Sequence, residues 1–404
     1  MYIIIGQGAA GTSAARTLRR LDQATPVTMI TDEPDYFYSR IDLPDIIGAK
    51  YEPAESELQG AEAFRDLGIT CRMGERVTAI HPGEKTVELA NGERLSYTRL
   101  LLATGSLPIR PTILGWQAQG VHVLWTMAQT LALSRAAESA TSAVVVGAGL
   151  IGLKIALALA SRGLKVTVVE KLPRVMPRQI DDTAAQRITK AVTGKGVNVM
   201  VGTEVRAILS RDGAVTGVQV EGAERPCEMV VMAVGVKPNV ELAKAAGIEV
   251  GRGITVDARQ QTSAADIYAA GDAAECLDPL TGSRVVPAIW PVAVEQGEVA
   301  ASNMVGIDSE FKSGLAMNAV EIAGIPLVSI GDFEGQPGDE VLTSGSGSSY
   351  RRIVLRGNTV RGVLCLGDIR QAGVIGSQVA RQAEVDDASL LVSPHFNFAS
   401  LVDS

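Results

Sequence analysis

Cysteine is scarce in this sequence: Cys71, Cys227, Cys276 and Cys365 are the only four in 404 residues. They lie far apart, so there is no C-x-x-C pair to hold a metal or cycle as a local disulfide. The expectation for all four is a buried structural thiol. Positive charge is also in deficit, with 37 basic against 45 acidic side chains and a net charge of −8. That balance argues against non-specific nucleic-acid binding and against an anionic membrane surface as partner. Long hydrophobic runs are missing too. The longest apolar helical stretch, 147–160, is too short to span a bilayer and contains Lys154. No basic segment and cleavage-like site precede the run Met1-Tyr2-Ile3-Ile4-Ile5, so no secretory signal is read and the expected location is the cytoplasm. With 46% hydrophobic and 20% charged residues, the chain has the profile of a globular protein of two or three domains.

What the chain does have is glycine, placed twice in the same arrangement. Gly6-Gln7-Gly8-Ala9-Ala10-Gly11 follows the apolar run Tyr2–Ile5 and opens a helix-prone stretch. In a strand–turn–helix unit the first glycine permits the tight turn and the second lets a pyrophosphate approach the backbone. The third lets helix and strand pack closely. Phosphate charge then meets free N–H groups at the helix N-terminus, which makes Gly6, Gly8, Ala10 and Gly11 the expected contacts. The next strand, 27–31, ends at Asp32-Glu33, where an acid can accept hydrogen bonds from an adenosine ribose.

The second copy is Gly147-Ala148-Gly149-Leu150-Ile151-Gly152 after the run 143–146. Its following strand, 166–169, ends at Glu170. An acid there repels a 2′-phosphate and favours NADH over NADPH, while Arg174 and Arg178 nearby pull the other way. Two dinucleotides in one chain fit one bound cofactor and one that exchanges, the logic of a flavin–nicotinamide enzyme.

Around these motifs the coarse pattern repeats at domain scale. Segments 1–31 and 143–170 both read strand, glycine turn, helix, strand. Asn91-Gly92 marks a hairpin. A helix is expected over 181–195, strands over 197–201, 204–209, 215–220 and 228–234, and a helix from Trp290-Pro291 to Asn303. From about 311 short strands dominate, at 326–331, 340–343, 350–356 and 361–366, followed by a helix over 371–383. The terminal stretch Pro394-His395-Phe396-Asn397-Phe398 is read as a segment docked on the body, since two exposed phenylalanines are unfavourable.

Three further segments carry a resemblance to a known family. Leu101-Leu102-Ala103-Thr104-Gly105-Ser106, Ala233-Val234-Gly235-Val236-Lys237-Pro238-Asn239 and Asp266-Ile267-Tyr268-Ala269-Ala270-Gly271-Asp272 stand in the order found in the pyridine nucleotide–disulfide oxidoreductase superfamily. Within it, Tyr36-Phe37-Tyr38-Ser39-Arg40, Trp290-Pro291-Val292-Ala293 with Gln296-Gly297, and the stretch from Phe311 onward resemble the NADH:rubredoxin oxidoreductases and nitrite reductase flavin domains. The resemblance implies an α/β protein with two Rossmann-like dinucleotide-binding domains and a small α+β C-terminal domain. It implies FAD held by 1–110 and 236–310, NADH by 111–235, and a C-terminal domain of 311–404.

By the same resemblance, Asp32 matches the ribose-binding acid better than Glu33, and Arg40 would face the FAD phosphates. Val77 would meet the adenine, and Ala103, Thr104 and Gly105 would border the cofactor. Gly271 and Asp272 would bind the ribityl end. The helix starting near Trp290 would aim its positive end at the flavin. Gly235 would close the NAD domain.

Two departures from the family pattern matter. Residues 36–50 contain no cysteine, which removes the redox disulfide and the single catalytic cysteine of related branches. The family also places lysine at the position of Asp45 and glutamate at that of Lys154, as an ion pair beside the nicotinamide. Here the signs stand exchanged, and a reversed Asp45–Lys154 pair competes with a solvated Asp45 and a snorkelling Lys154.

The resulting expectation is hydride transfer from NADH to flavin N5, then electron delivery straight to an acceptor. A rubredoxin or iron–sulfur carrier leads. An NADH oxidase, the flavin subunit of a larger reductase, and an NADH-sensing interaction protein are the alternatives. Arg351, Arg352, Arg356 and Arg361 could form a basic patch for an acidic carrier, or a solvated sheet face. A homodimer is compatible with the sequence.

Overall fold

Parallel strands covered on both faces read as unbroken apolar runs, and Tyr2–Ile5 is buried at every position. Its alternation sends Ile3 and Ile5 to one core and Tyr2 and Ile4 to the other. Burying each large aliphatic side chain contributes roughly 1.5–3 kcal/mol relative to exposure. The run pairs on both sides, with Val27–Thr31 and Arg99–Leu102, which places it inside the sheet.

The computed structural model describes residues 1–278, 282–312, 314–315, 317–347 and 349–393. They form two compact units. The first comprises Met1–Arg40, Pro53–Leu107 and Val236–Gly314; the second comprises Ile41–Glu52, Pro108–Gly235 and the chain from Leu315 on.

The first unit is built on a five-stranded parallel sheet in the order Ile267–Ala269, Arg99–Leu102, Tyr2–Ile5, Val27–Thr31, Ile69–Met73. On one face lie the helices Ala9–Leu21 and Trp290–Met304, packed against each other. Their approach is set by Gly297, where a Cβ would stand 2.3 Å from the carbonyl oxygen of Ala10. A three-stranded antiparallel sheet, Val77–His81, Thr86–Leu89 and Arg94–Ser96, belongs to the same unit. The Asn91-Gly92 hairpin is present, with Gly92 at a φ of 85°.

The second unit repeats that plan. Its parallel sheet runs Val121–Val123, Met229–Met232, Ser142–Val146, Lys165–Val169, Val197–Met200, with the glycine-motif strand again in the middle. Three antiparallel strands, Val205–Arg211, Ala214–Val220 and Ala223–Pro226, lie over one face around Ile208, Val218 and Val230. The expected helices appear at Asp182–Gly194 and Trp290–Met304. The helix Met127–Ser139, closed by a capping box between Thr126 and Gln129, adds to the sequence reading.

The C-terminal part is an antiparallel sheet in the order Met317–Ile322, Ile325–Gly331, Thr359–Leu366, Tyr350–Arg356, Glu340–Ser344. The helix Ala372–Arg381 packs on it through Ile375 and Val379. Pro394–Phe398 lie outside the described residues. Among the described residues no helix is long and apolar enough to cross a membrane.

Replacing Gly297 with alanine forces a methyl group onto the Ala10 carbonyl and pushes the two helices apart. The expected loss is about 1–3 kcal/mol in denaturant unfolding.

Candidate dinucleotide sites

Both glycine turns are built by backbone packed on backbone. Gly6 has a φ of 108°, and a Cβ there would lie 2.0 Å from the Ala103 carbonyl oxygen. Gly147 has a φ of 105°, and its Cβ would lie 2.3 Å from the Ala233 carbonyl oxygen. At the third glycines, a Cβ on Gly11 or Gly152 would stand 2.1 Å or 2.0 Å from the carbonyl oxygen of the first. The middle glycines differ. Around Gly8 and Gly149 nothing lies within 4 Å of an added Cβ. The protein itself does not need glycine there, which is the mark of a backbone kept clear for a ligand.

The helices that follow are left open at their starts. Ala9–Leu21 and Leu150–Ser161 have Gly8 and Gly149 as N-caps and no side-chain cap. Asp182–Gly194, by contrast, is capped by Asp181. Uncapped N–H groups and the helix dipole suit a pyrophosphate. Gln7, 8% exposed, also has both side-chain amide atoms without a protein partner. The residues present fit a dinucleotide in each fold.

In the first unit five distant segments converge. Ala103 donates its N–H to the Ile5 carbonyl (2.8 Å). The Thr104 hydroxyl donates to the Asn239 carbonyl (2.7 Å), and the Asn239 N–H to the Gly105 carbonyl (2.9 Å). Ser106 donates to the Asp272 carboxylate (2.8 Å). The Gly271 N–H donates to Gln296 Oε1 (2.8 Å), while Gln296 Nε2 is buried without a partner. Burial pushes the Asp272 carboxyl above its usual range, with Ser106 and the Arg40 charge opposing. Ser106 and Gln296 had no role in the sequence reading; their signal is adjacency to the Ala-Thr-Gly segment and to Gly297.

The two acids after Val27–Thr31 part company. Asp32 is exposed and pairs with Arg76 (3.0 Å). Glu33 is half-buried, paired with Arg40 and hydrogen-bonded by Tyr38. Arg40 also lies over the Tyr38 ring at 5.2 Å. Val77 is half-buried at the start of its strand, and Trp290 stacks on Phe37 with ring centroids 5.5 Å apart.

In the second unit Glu170 is spent on the turn. It accepts from the Ala148 N–H and from the Leu172 N–H, both at 2.8 Å. Leu150 and Ile151 form the helix start, and Ile151 is exposed. Gly235, at a φ of 101°, accepts from the Ile109 N–H (2.9 Å).

The segment Ile41–Glu52 belongs to this unit, and its helix Leu43–Ile47 packs on Leu150–Ser161. That contact brings Asp45 and Lys154 onto neighbouring helices, but Asp45 takes Lys50 as its partner (3.0 Å). Of the two readings left open for this pair, a direct Asp45–Lys154 bond is not formed, because Lys50, just past the helix, reaches Asp45 instead. Lys154 is half-buried, and no ion pair of it is recorded among the described residues.

All four cysteines are free, three of them buried and Cys71 half-buried. Burial pushes the thiols of Cys71, Cys227 and Cys276 up to about 11, and that of Cys365 upward as well. None is a ready thiolate. The arginines of the last sheet are also committed internally. Arg351 donates to the Leu391 carbonyl, Arg352 to the carbonyls of Phe333 and Glu334, Arg356 to Asp339 through two bonds, and Arg361 to Gln382. They do not form an open cationic patch.

Residues 1–297 match the family model described as pyridine nucleotide-disulphide oxidoreductase, and residues 317–383 match that of the rubredoxin NAD+ reductase C-terminal domain. The chain is 34% identical over 318 residues to an NADH oxidase of Methanocaldococcus jannaschii, covering 76% of this chain and 71% of that protein. It is 29% identical over 389 residues to the NADH-dependent phenylglyoxylate dehydrogenase subunit epsilon of Aromatoleum evansii, covering 95% and 92%. Among solved structures, putidaredoxin reductase in its covalent complex with putidaredoxin matches with a TM-score of 0.92 at 25% identity, over 100% of this chain and 98% of that one.

Two predictions follow from the packing and the buried carboxyl. Gly8→Ala leaves the stability of the cofactor-free protein within about 0.5 kcal/mol but lowers flavin retention. Gly6→Ala costs roughly 3 kcal/mol or more. Equal stability losses in the two variants would contradict the open-glycine assignment. For Asp272, a folded-state carboxyl raised above its unfolded value contributes stability below the ordinary range and loses it as pH rises through the raised value. Ser106→Ala removes a donor to the ionised form, so it destabilises by roughly 1.5–3 kcal/mol at neutral pH and by less in acid. Chemical denaturation at both pH values measures the difference.

Proposed function

Since the chain belongs to the pyridine nucleotide-disulphide oxidoreductase family, by a match over residues 1–297, we propose that it oxidises NADH at a bound FAD and hands the electrons to a small one-electron carrier. The observation that carries this reading is the doubled glycine cradle, with Gly8 and Gly149 kept clear, in a chain whose residues 36–50 contain no cysteine. Two nucleotide cradles call for a bound and an exchanging cofactor. A missing disulfide leaves the flavin itself as the exit for electrons. The FAD, when bound, accepts hydride at N5 and releases electrons one at a time.

The chain's own residues bind and orient. The open helix start at Gly8, Ala10 and Gly11 holds the FAD pyrophosphate in the part formed by 1–110 and 236–310, with Arg40 adding positive charge. Of the two acids, Glu33 is the better ribose acceptor. It is half-buried and already held by Arg40 and Tyr38, whereas Asp32 is turned to Arg76 in solvent. Val77 borders the adenine. Ala103, Thr104, Gly105, Gly271 and Asp272, tied together by Ser106, Asn239 and Gln296, line the ribityl end. The helix from Trp290 brings its positive end to the flavin.

NADH is taken up by 111–235 through Gly147, Gly149, Leu150, Ile151 and Gly152, with Glu170 disfavouring a 2′-phosphate and Gly235 at the closing turn. Lys154 supplies a cation beside the nicotinamide, while the Asp45 carboxylate on the adjoining helix is paired with Lys50. Hydride transfer then needs proximity and orientation rather than an acid–base side chain.

The carrier is a rubredoxin or an iron–sulfur protein. The match of 317–383 to a rubredoxin reductase C-terminal domain and the likeness to a putidaredoxin reductase support it. The likeness to an NADH oxidase favours direct reaction with oxygen as the second reading, and that to subunit epsilon favours service in a larger complex.

Anaerobic stopped-flow absorbance separates these readings. NADH should bleach the flavin rapidly, and a rubredoxin or ferredoxin should restore it far faster than air does. Fast recovery in air alone would establish the oxidase. A stable reduced complex with slow recovery under every acceptor would favour a sensor of NADH.

A further inference from the structure

Three cations follow Glu170 in the loop that leads to the helix Asp182–Gly194: Lys171, Arg174 and Arg178. A cation near that acid is what a coenzyme with a 2′-phosphate needs. Lys171 is tied to Glu204 (2.7 Å), and Arg178 is exposed. Arg174 is 23% exposed, and all three of its guanidinium nitrogens are engaged. Nε donates to the Ile180 carbonyl (3.1 Å), Nη1 to Asp182 (3.1 Å), and Nη2 to the Pro177 carbonyl (3.2 Å) and to Glu334.

Glu334 comes from the C-terminal sheet region, 160 residues further along the chain. Its backbone is held in place. Arg352 donates to the carbonyls of Phe333 (2.8 Å) and Glu334 (2.9 Å), and Asp332 accepts from the Gly335 N–H (3.0 Å). Beside the pair lies a polar cleft of about 360 Å³ lined by Arg174, Asp181, Asp182, Thr183, Glu334 and Arg352.

Building on the reading of this fold as the NADH site, we propose that Glu334 is a coenzyme-specificity residue: together with Asp182 and the carbonyls of Pro177 and Ile180 it commits the Arg174 guanidinium to internal acceptors and so withholds a cation from the 2′-phosphate of NADPH. Glu170 and Glu334 then act in the same direction by different means. The first repels the phosphate, and the second removes the arginine that would bind it. The C-terminal domain thereby takes part in nucleotide choice without touching the nucleotide. Glu334 is a positioning residue, acting through Arg174.

The test uses the FAD-loaded full-length protein, with ADP and 2′,5′-ADP as probes in titration calorimetry. Glu334→Ala should tighten 2′,5′-ADP about fivefold, the scale of an exposed ion pair exchanged for another, with ADP unchanged within about twofold. The kcat/KM ratio of NADPH to NADH should rise by a similar factor. Glu334→Asp should keep the wild-type ratio, and the gain should vanish when Glu334→Ala is combined with Arg174→Ala. An unchanged ratio in Glu334→Ala, or the same gain without Arg174, overturns the proposal while leaving the NADH reading intact. Failure of the wild-type protein to bind ADP or to be reduced by NADH overturns both.

Discussion

The close approach of backbone to backbone at the first and third glycines is the constraint on which each nucleotide fold depends. Gly6 presses on the Ala103 carbonyl, and Gly11 presses on Gly6. With no Cβ in either contact, the strand can turn directly into the helix. The helix axis then points its uncapped N–H groups along the sheet's carboxyl edge. The same contacts recur at Gly147 and Gly152 with near-equal distances. Because helix and strand are locked there, Gly8 and Gly149 are released from any packing duty. An open backbone at these two positions is a consequence of a closed one at the other four.

The polar network of the first unit extends that logic to charge. Burying Asp272 is unfavourable, and its carboxyl is pushed upward as a result. Ser106 offsets part of that cost with a direct hydrogen bond, and Gln296 satisfies the Gly271 N–H beside it. Neither supporter could be placed without knowing that residues 106, 239, 271 and 296 converge. The acid is held in a geometry that a solvated carboxylate would not keep.

Much of this was legible because it rests on sequence-local rules. The glycine spacing, the apolar runs before each motif and the acids at the next strand ends are all short-range signals. They mark the paired Rossmann-like folds and the glycine turns directly. The helix Met127–Ser139 was harder to read, since its apolar residues follow no strong period and its clearest mark is the Thr126–Gln129 cap. The segment Ile41–Glu52 follows the first unit's residues in sequence yet packs in the second unit, a tertiary fact without a local signature. The choice of Lys50 over Lys154 by Asp45 has the same origin. Charge complementarity in a sequence names candidates for a pair, and only the chain's path decides between them. The arginines of the last sheet, which the sequence leaves open between a basic patch and a solvated face, illustrate this too: they are spent on carbonyls, a carboxylate and an amide of the same domain.

That internal use of cations bears on how such a protein discriminates among partners. Arg174 and the arginines of the last sheet are spent on acceptors within the protein. The donors that each glycine turn offers to a phosphate are backbone N–H groups at the uncapped helix starts, which neither titrate nor rearrange. Backbone donors suit the pyrophosphate that every dinucleotide carries, and so they cannot distinguish one coenzyme from another. Discrimination has to come from the side chains at the strand ends and from what holds them. Glu170 is fixed by two N–H donors and Arg174 by four acceptors. On the proposed reading, the fold would supply a general cradle, and the bonding of a few charged side chains around it would make the cradle selective.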